Sequence, residues 1–496
     1  MRFLPPPLAL LLAAAAQAND VWVDPVTGDD SNPGTEQQPL RTISAAVALP
    51  DASIFLVPGV YSAASGETFP ITLEGMDSIT STGNASNTRY VLSDVAAYPY
   101  APTIEIKGDA SITGVTLQQL GTNSTVLAIG DTPYTIDCRL VLSDSTIIGG
   151  ALGASGGDNG YLSIERCEFR EQDYAGISIF RSLTTIRDTT IRNARNGIVA
   201  GMMGGIVTIQ RAAILDVEEN AIFLQDANYA VPLRASIEDC LLAGHEVGVY
   251  SHDGWLWNEV EIKRCTIVSD RGYGVRENDH SWGGFLHVTD SIIAGHTLAD
   301  TRDVNYMANS IVEDGSIPSG HVDCISGDPI FVDPANGDYR LGWGSPGIDA
   351  AAPGFSRDLA GHARVVDGDL QLVPAPDIGA LEHRTLNGPS SIRFGQAIPL
   401  EVTGPMGGYS TVVISPPGFA AVGATTIYGR YFLDPTNNFR LPSVPTFGRT
   451  PTQLMTPSIT DSSLIGTQIG IQALTRSVAA PAGGAFSQPL LVRVDP

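Results

Sequence analysis

A short pattern recurs through the middle of the chain and constrains its fold more than any other feature. Each copy reads apolar residue, two residues, small residue, one residue, apolar residue, and the copies are LSIERCEF, TTIRDTTI, VTIQRAAI, ASIEDCLL, VEIKRCTI and LHVTDSII. Successive small residues lie 22, 23, 28, 25 and 26 positions apart. They are Cys167, Thr189, Ala212, Cys240, Cys265 and Ser291, and Ser145 extends the series upstream. A repeat of this length indicates one structural coil per copy.

A second pattern follows each copy after eight or nine residues and consists of Gly or Ala before a β-branched residue. Its members are Gly176, Gly197, Ala221, Gly248 and Gly274. Two ladders that keep one period, joined by short β-rich runs and turn residues, predict a parallel β-helix whose coils pair with one another. Leucine-rich repeats have a similar period, but their leucine pattern and helical segment are missing here.

Three of the five cysteines belong to the first ladder, where we expect them to point inward as small hydrophobic residues. Cys240 and Cys265 would lie on neighbouring coils, about 4.8 Å apart. That spacing is compatible with a disulfide but does not require one. The spacing of the five cysteines fits no metal motif, and we expect free thiols.

The two ends of the repeat region have a different composition. RTISAAVAL, residues 41–49, is the best helix candidate in the chain and would cap the open N-terminal coil. The regular ladder fades after Ser291, and a loop-rich section is expected from there to about residue 384. From residue 386 onward histidine and cysteine are missing, and Pro, Gly and Thr separate short β-like runs. We therefore predict a β-helix over residues 19–385 and an immunoglobulin-like β-sandwich over residues 386–496.

The first 18 residues have the layout of a secretory signal peptide. Arg2 precedes an apolar run, and Ala16-Gln17-Ala18 fits cleavage after Ala18. No later segment has 18 continuous apolar residues, so we expect no membrane insertion. We expect a monomer that is secreted, periplasmic or attached to the cell surface. The net charge of −25 argues against nucleic acid as a partner and disfavours polyanionic sugars unless a cation bridges them.

Three stretches carry a resemblance to a known family. VWVDPVTGDDSNPGTEQQPLRTISAAV near the N-terminus resembles the domain of unknown function that opens many secreted right-handed parallel β-helix proteins of the pectin-lyase-like superfamily. GDPIFVDPANGDYRLGWGSPGIDA and PDIGALEH resemble the C-terminal end of such β-helices. The resemblance covers roughly residues 19 to 385. It implies an all-β chain, namely a right-handed parallel β-helix followed by the β-sandwich.

The enzyme signatures of this superfamily do not carry over to the coils. N-T-D, G-H-G and R-I-K are missing, and the D-D pair, Asp29-Asp30, lies in the N-terminal loop. Lyases of the superfamily use a Lys or Arg base beside calcium-binding aspartates. The chain has only two lysines, Lys107 and Lys263, and Lys263 is expected to point outward from a coil strand.

One local constellation stands out against the repeat. Asp226, Asp253 and Asp279 follow Ala221, Gly248 and Gly274 by the same five residues. One position earlier lie Gln225, His252 and Asn278, and nearby lie Trp255, Trp257, Glu277, His280 and Trp282. The three aspartates with His252 and His280 are the candidate catalytic residues, and the other residues are candidates for substrate binding.

Stacked turns would give this constellation a definite chemistry. Aspartates on adjacent coils would approach to about 5 Å, and the outer pair to about 9.6 Å. These separations correspond to retaining and, near its upper limit, inverting glycoside hydrolysis. One carboxylate would then hold a proton, or the three would bind calcium. Alternatively, the aspartates only form hydrogen bonds within their own turns.

Two other acidic groups are weaker candidates for metal binding. They are Asp24, Asp29 and Asp30 in the N-terminal loop, and Asp358, Asp367 and Asp369 near the loop-rich end. A capped turn and a solvated loop are the respective alternatives, and the second spacing does not fit an EF-hand.

Two functions remain open. The first is an exported β-helix protein that binds an extracellular polysaccharide along the face of residues 225–282 and, if it is an enzyme, cleaves it as a lyase or glycoside hydrolase. The second is a non-catalytic structural or adhesive surface protein, in which the same aspartates could bind a stiffening calcium ion. No cofactor other than calcium is indicated.

Overall fold

The computed structural model describes residues 19–82, 91–94, 102–121, 124–129, 138–157, 160–201, 205–225, 233–252, 258–278, 285–354, 357–416, 419–426, 428–434, 438–477 and 484–496. Within these ranges the chain winds into a right-handed parallel β-helix and ends in antiparallel sheets. The all-β prediction and the order of its two parts are confirmed. Among the described residues, no helix is both long and apolar enough to span a bilayer.

The coils form three parallel sheets, which are numbered here in the order in which the chain passes through them in one coil. Not every coil contributes a strand to the third sheet. The first sheet has 12 strands: Asn19–Val23, Ala52–Leu56, Met76–Ser81, Asp109–Thr113, Arg139–Ser143, Tyr161–Glu165, Leu183–Arg187, Gly205–Gln210, Leu233–Glu238, Glu259–Lys263, Phe285–Thr289 and Tyr306–Ala308. The second sheet has 12 strands: Val60–Ser62, Val91–Asp94, Thr116–Gln119, Thr146–Gly149, Glu168–Arg170, Thr190–Arg192, Ala213–Leu215, Leu241–Ala243, Thr266–Val268, Ile292–Ala294, Ile311–Val312 and Ile325–Ser326. The third sheet has 10 strands: Ile71–Leu73, Ile104–Ile106, Thr125–Ile129, Leu152–Gly156, Ala175–Phe180, Asn196–Gly201, Asn220–Gln225, Val247–His252, Tyr273–Glu277 and Ala299–Arg302.

The corner between the first and second sheets explains the first sequence ladder. The residue just before each small ladder residue adopts a left-handed backbone conformation, which turns the chain sharply. These corner residues alternate in charge and form the Asp–Arg corner ladder: Asp144, Arg166, Asp188, Arg211, Asp239, Arg264 and Asp290. Ion pairs link Arg166 to Asp144, Arg211 to Asp188 and Arg264 to Asp239 at 2.6–2.8 Å. The small residues that follow are buried, and Cys167, Cys240 and Cys265 are free thiols, as predicted.

The second ladder consists of Gly and Ala because the inside of the coil has no room for larger side chains there. A Cβ atom on Gly248 would lie 2.4 Å from both the Gly274 carbonyl oxygen and Ile267 Cγ2. A Cβ atom on Gly197 would lie 2.6 Å from Ile214 Cγ2. The third sheet therefore packs its glycines against the inward isoleucines of the second sheet.

The coils extend beyond the last predicted copy. Asn309 and Asp323 adopt the same left-handed corner conformation as the earlier corner residues. Ser310 and Cys324 follow them, so the ladder continues after Ser291 with steps of only 19 and 14 residues. The regular spacing of the ladder therefore ends after Ser291, as predicted. The loop-rich section does not begin there, because coil strands continue as far as Ile325–Ser326.

The N-terminal cap contains the predicted helix in shortened form, over Ile43–Ala46. Thr42 Oγ1 accepts a hydrogen bond from the Ala45 amide, as an N-cap residue does. The Glu67 carboxylate accepts the amide of Ile43 at 2.7 Å and that of Ser44 at 3.0 Å. The other helical segments are 3-10 turns at Ala63–Ser65, Pro334–Asn336 and Ser462–Leu464.

The loop-rich section folds back along the side of the β-helix. We call residues 327–383 the flap; the only regular strand pair among its described residues is Phe331–Asp333 with Asp338–Leu341. Four of its apolar side chains pack on the outer face of the second sheet: Phe331, Leu341, Ile348 and Ile378. The sheet supplies Leu241, Ala243, Val268, Ile292, Ala294 and Ile311. The outer face of the second sheet in the last coils is therefore covered.

The C-terminal strands form two main layers around a separate core, and their pairing is antiparallel except between Ser391–Arg393 and Leu490–Asp495. One layer contains Leu386–Asn387, Pro399–Gly404 and Gly448–Met455. The other contains Ser391–Arg393, Leu490–Asp495, Gln468–Arg476, Tyr409–Ser415, Phe439–Arg440, Val444–Pro445 and Gly484–Phe486. A further pair is Phe419–Thr426 with Gly429–Leu433. Apolar residues of both layers, including Leu400, Val402, Val412 and Ile471, share one buried cluster, as the predicted sandwich requires.

Candidate functional site

The predicted constellation lies where strands of the third sheet end. Seven of its members lie outside the described residues: Asp226, Asp253, Trp255, Trp257, Asp279, His280 and Trp282. The described members are Gln225, His252, Glu277 and Asn278. Their positions test the predicted alignment of the coils, although they do not test the roles assigned to them.

The alignment of the three coils is confirmed at the described positions. Gln225 pairs with His252 across neighbouring strands, and Ser251 pairs with Glu277 in the next strand. The Asn278 amide donates to the Ser251 carbonyl at 3.0 Å. Positions 225, 252 and 278 therefore form one row along the axis of the β-helix.

The alternation of side chains separates these residues into two groups. Alternate residues of a strand point to opposite faces of the sheet. By this alternation the outer face carries Gln225, His252 and Asn278, which are half-buried. Glu277 is 5% exposed and faces inward with Ser251. A residue in that position cannot reach a ligand on the outer face, so we do not include Glu277 in the candidate site.

An aromatic and basic strip lies beside the outward row. The register pairs Phe223 with Tyr250, Tyr250 with Arg276, and Arg276 with Arg302. We call the following residues the third-sheet strip: Phe223, Tyr250, His252, Tyr273, Arg276 and Arg302. Its backbone rungs extend over four coils, or about 14 Å at about 4.8 Å per coil.

Ring contacts hold the strip together. The Phe223 and Tyr250 rings stack with centroids 5.2 Å apart and an angle of 25° between their planes. The His252 imidazole stands edge-on to both, with centroid distances of 6.4 Å and 5.8 Å. Because the two rings cover each other, the strip offers solvent mainly ring edges and the imidazole.

Arg276 lies between two tyrosines in the middle of the strip. Its guanidinium carbon is 5.0 Å from the ring centroids of both Tyr250 and Tyr273, within the range of cation–π contact. Arg302 Nη1 donates to the Tyr273 hydroxyl at 3.0 Å. Within the described part of the chain Arg276 has no ion pair, and its Nε is buried without a hydrogen-bond acceptor. Its charge is therefore not neutralised locally by a described carboxylate.

Sequence reasoning missed most of the strip, although a signal for it was present. Phe223, Tyr250 and Arg276 each follow a member of the Gly/Ala ladder by two residues. The same ladder was used to align the aspartates three positions farther on. Residues of different chemical types occupy this position, so a search for one repeated residue type did not find them.

The N-terminal acidic residues form capped turns. Asp24 Oδ1 accepts the Val26 amide at 2.8 Å, and Asp29 Oδ1 accepts the Ser31 amide at 2.9 Å. Asp30 accepts the amides of Arg41 and Thr42, both at 2.9 Å. The contacts of Asp24 and Asp29 fit the turn alternative, because each carboxylate caps its own turn. Asp30 instead holds the two residues that precede the short helix.

The flap contains the described carboxylates that could hold a cation. Asp349, Asp367 and Asp369 each offer one oxygen, and these three atoms lie within 4.8 Å of one another. Two of the three were expected from the sequence, but Asp349 takes the place of Asp358. Asp358 is 1% exposed and accepts the His362 amide at 2.6 Å.

Backbone contacts give Asp349 a structural role in the flap. Its Oδ2 accepts the amides of Gly368 and Asp369 at 2.9 and 3.0 Å, and its Oδ1 accepts that of Ala375 at 3.2 Å. Burial raises the pKa of Asp349 to about 6, although these hydrogen bonds favour the charged form. The carboxylate therefore already serves as the hub of a loop.

The family comparison concerns most of the β-helix but less than half of the whole chain. Residues 26–252 match the model of a family described as a protein of unknown function, DUF1565. The chain contains a DUF1565 region. This region ends at His252, so it includes the coils that carry Phe223 and Tyr250. No curated protein matches the chain.

Solved structures similar to this chain are distant in sequence. Pectate lyase Pel9A aligns with a TM-score of 0.45 at 14% identity, over 74% of this chain and 97% of its own. A rhamnogalacturonan lyase aligns with a TM-score of 0.36 at 12% identity, over 59% and 87%. The tailspike gp49 of Acinetobacter baumannii bacteriophage Fri1, a capsular polysaccharide depolymerase, aligns with a TM-score of 0.28 at 10% identity, over 89% and 82%. These names describe the neighbours and assign no activity to this chain.

Proposed function

We propose that this chain is an exported, monomeric β-helix protein that binds an extracellular polysaccharide along the third-sheet strip. The observation that carries the proposal is the register of Phe223, Tyr250, Arg276 and Arg302 over four successive coils. The signal peptide over residues 1–18 is part of the same proposal, because an extracellular polymer requires export of the protein.

The shape and chemistry of the strip suit a polymer. The strip is an extended face on a sheet, and its rungs repeat about every 4.8 Å along the axis. Aromatic edges offer apolar contact, while Arg276, Arg302 and His252 offer hydrogen-bond donors for hydroxyl or carboxylate oxygens. Gln225 and Asn278 continue the polar row, and the predicted aspartates Asp226 and Asp279 come directly after them in the sequence.

Cleavage is the extended form of the proposal. His252 lies on the strip, and Asp253, Trp255 and Trp257 follow it in the sequence. If Asp226, Asp253 and Asp279 stack in the order of their strands, they would place an acid and a base, or a calcium ion, beside the bound chain. The reaction would then be that of a lyase or a glycoside hydrolase. In this proposal the sugar is contacted by Trp255, Trp257 and Trp282, and His280 lies next to it.

One observation favours the structural or adhesive alternative. The first sheet carries a similar pair, in which the Arg139 guanidinium lies 4.8 Å from the Tyr161 ring centroid. This pair lies far along the chain from the constellation. Aromatic and basic pairs on this β-helix can therefore stabilise neighbouring coils without any ligand.

Affinity electrophoresis separates the two functions. Wild type, Tyr250→Ala and Tyr161→Ala would be run through gels that contain neutral or acidic polysaccharides, with and without calcium. We expect at least one polymer to retard wild type. Tyr250→Ala should weaken that binding about tenfold or more, because it removes an aromatic contact and the support of Arg276. Tyr161→Ala is the matched control, with the same residue type and the same kind of arginine contact on another sheet, and should bind like wild type.

The outcomes are distinct. No retardation by any polymer, or equal losses in both variants with unchanged circular dichroism, would contradict binding at the strip. Retardation that Tyr250→Ala removes supports the proposal. The same polymers are then incubated with wild type and Asp253→Ala, and a release of reducing or unsaturated ends by wild type alone would establish cleavage.

A further inference from the structure

Two imidazoles meet inside the β-helix, beneath the third-sheet strip. His245 Nε2 and His296 Nε2 lie 3.2 Å apart, and the two rings are stacked with centroids 5.4 Å apart. His296 Nδ1 lies 2.8 Å from Asp300 Oδ1. The side chains of His296 and Asp300 are 0% and 1% exposed, and His245 is 0% exposed. We call His245, His296 and Asp300 the histidine bridge.

The bridge spans three coils and passes over the middle one. His245 and His296 are 51 residues apart, with the coil of Ser269 and Gly274 between them. Glycines make the space, because a Cβ atom on Gly248 would lie 3.0 Å from His245 Nε2 and one on Gly274 would lie 2.9 Å from His296 Cε1. Ser269 Oγ donates to the His245 carbonyl at 2.6 Å, which ties the middle coil to the first.

The bridge connects the strands that carry the strip. His245 lies two residues before strand Val247–His252, which carries Tyr250. Asp300 lies in strand Ala299–Arg302, which carries Arg302. The strand between them is Tyr273–Glu277, which carries Arg276. A change in the bridge therefore acts on the rungs of the strip directly.

The number of protons on the two rings decides whether the bridge holds. His296 Nδ1–H donates to the Asp300 carboxylate, so with both rings neutral His296 Nε2 accepts from His245 Nε2–H. A first added proton leaves one N–H between the rings, because an imidazolium at His296 can donate to a neutral His245. A second proton places N–H against N–H and two positive charges in the core. That state cannot keep the contact.

The charged groups that face the bridge do not offset the repulsion between two protonated imidazoles. Arg271 Nη2 donates to the Gly244 carbonyl at 2.8 Å, next to His245, and adds positive charge on that side. Asp300 is already used by His296 and accepts the Asp314 amide at 2.8 Å, while Asp314 Oδ2 accepts the Asp300 amide at 3.0 Å. Burial, the nearby His296 and Arg271 all lower the pKa of His245 well below its usual value near 6.5. His245 Nδ1 has no hydrogen-bond partner among the described residues.

We propose that the histidine bridge is an acid-sensitive latch, which holds the three coils beneath the strip together at neutral pH and releases them when both imidazoles are protonated. The direction follows from linkage. In the opened state the pKa of His245 is about 6.5, whereas burial in the closed state lowers it. The closed state is therefore fully favoured above about pH 6.5 and loses stability as the pH falls below that value.

Hydrogen–deuterium exchange of the complete protein tests the latch without any glycan. Protection factors would be measured from pH 7.5 to pH 5, with correction for the intrinsic exchange rate. In wild type, we expect protection of strands Val247–His252, Tyr273–Glu277 and Ala299–Arg302 to fall by up to about tenfold per pH unit below about 6.5. Strand Tyr161–Glu165, several coils away, should not show this additional loss.

Two variants identify the responsible group. His245→Gln keeps a side-chain donor toward His296 but cannot be protonated, so its three strands should keep their protection down to pH 5. His287→Gln, which removes a partly exposed histidine of the first sheet, should behave like wild type. Equal protection of the wild-type strands at pH 7.5 and pH 5 would overturn the proposal, as would an unchanged transition in His245→Gln. If His245→Gln does not fold, His296→Gln serves instead. It leaves a single imidazole in the bridge, so two facing imidazoliums cannot form, and an unchanged loss of protection below about pH 6.5 would again overturn the proposal.

Discussion

Arg364 forms a buried ion pair with Asp239, a residue 125 positions earlier in the chain. Arg364 belongs to the flap and Asp239 to the Asp–Arg corner ladder, and both side chains are 0% exposed. Arg364 Nη2 and Nε lie 2.9 Å and 3.0 Å from Asp239 Oδ1, and Arg364 Nη1 donates to Glu382 at 2.9 Å. The guanidinium therefore fastens the flap to the β-helix at a corner whose own arginine, Arg264, also pairs with Asp239.

Removal of this guanidinium should loosen the flap. Arg364→Met fills a similar volume but leaves Asp239 and Glu382 buried with fewer partners. We expect the free energy of unfolding to fall by about 3–5 kcal/mol, the cost of breaking a buried pair from one side. Urea denaturation would measure the loss, and limited proteolysis should then cut within residues 327–383 before other parts of the chain.

An exposed ion pair provides the control for that variant. Arg192 pairs with Glu168 on the outer surface, and both side chains are at least 32% exposed. Arg192→Met should cost at most about 1 kcal/mol, because solvent already screens that pair. Similar losses in the two variants would mean that the buried contact does not fasten the flap.

The coils with a regular period could be predicted from the sequence, whereas the coils of different length and the flap could not. The period located the inward ladder, because stacked coils must keep small or apolar residues inside. Counting from that ladder also aligned Gln225 with His252 on the outer face. Ser310 and Cys324 were missed because the coils that contain them are shorter. The fold-back of the flap could not be predicted from local patterns, since its contact between Arg364 and Asp239 joins distant parts of the chain.

The Gly/Ala ladder should not tolerate a methyl group at Gly248, which is one of its tight positions. Gly248→Ala would place a Cβ atom 2.4 Å from the Gly274 carbonyl oxygen, a backbone atom that can move only with its coil. We expect a loss of about 1–3 kcal/mol in the free energy of unfolding, which is typical of overpacking. Gly354→Ala is the control, because nothing lies within 4 Å of its Cβ position. A neutral Gly248→Ala would show that the coils are packed less tightly than this geometry requires.

The buried thiols should be inert in the folded protein. Burial raises the pKa of Cys167 to about 12 and that of Cys240 well above its usual value, so neither forms a thiolate at neutral pH. Cys324 is only partly buried. A thiol reagent should therefore modify about one cysteine in the native protein, and Cys324→Ser should abolish that reaction. All five cysteines should react after denaturation without a reductant, and a count of three would reveal a disulfide instead.

The flap should become less stable as its loop carboxylate ionises. Burial raises the pKa of Asp349 to about 6 in the folded protein, from an ordinary value of 3.8. The folded state therefore holds this proton more tightly than the unfolded state, so the stabilisation is complete below about pH 4 and is lost as the pH rises through about 6. Because the side chain is only half buried, we expect a loss of about 1 kcal/mol rather than the full value of the shift.

Hydrogen exchange of the flap amides, measured between pH 4 and pH 7, would detect this change. The relevant amides are those of Gly368, Asp369 and Ala375, which donate to Asp349. Asp349→Asn cannot ionise and should remove the loss of protection on going from pH 4 to pH 7. The histidine bridge predicts the opposite direction for strand Val247–His252 over the same range. Opposite pH profiles in one data set would therefore distinguish the carboxylate of the flap from the imidazoles beneath the strip, and parallel profiles would contradict at least one of the two assignments.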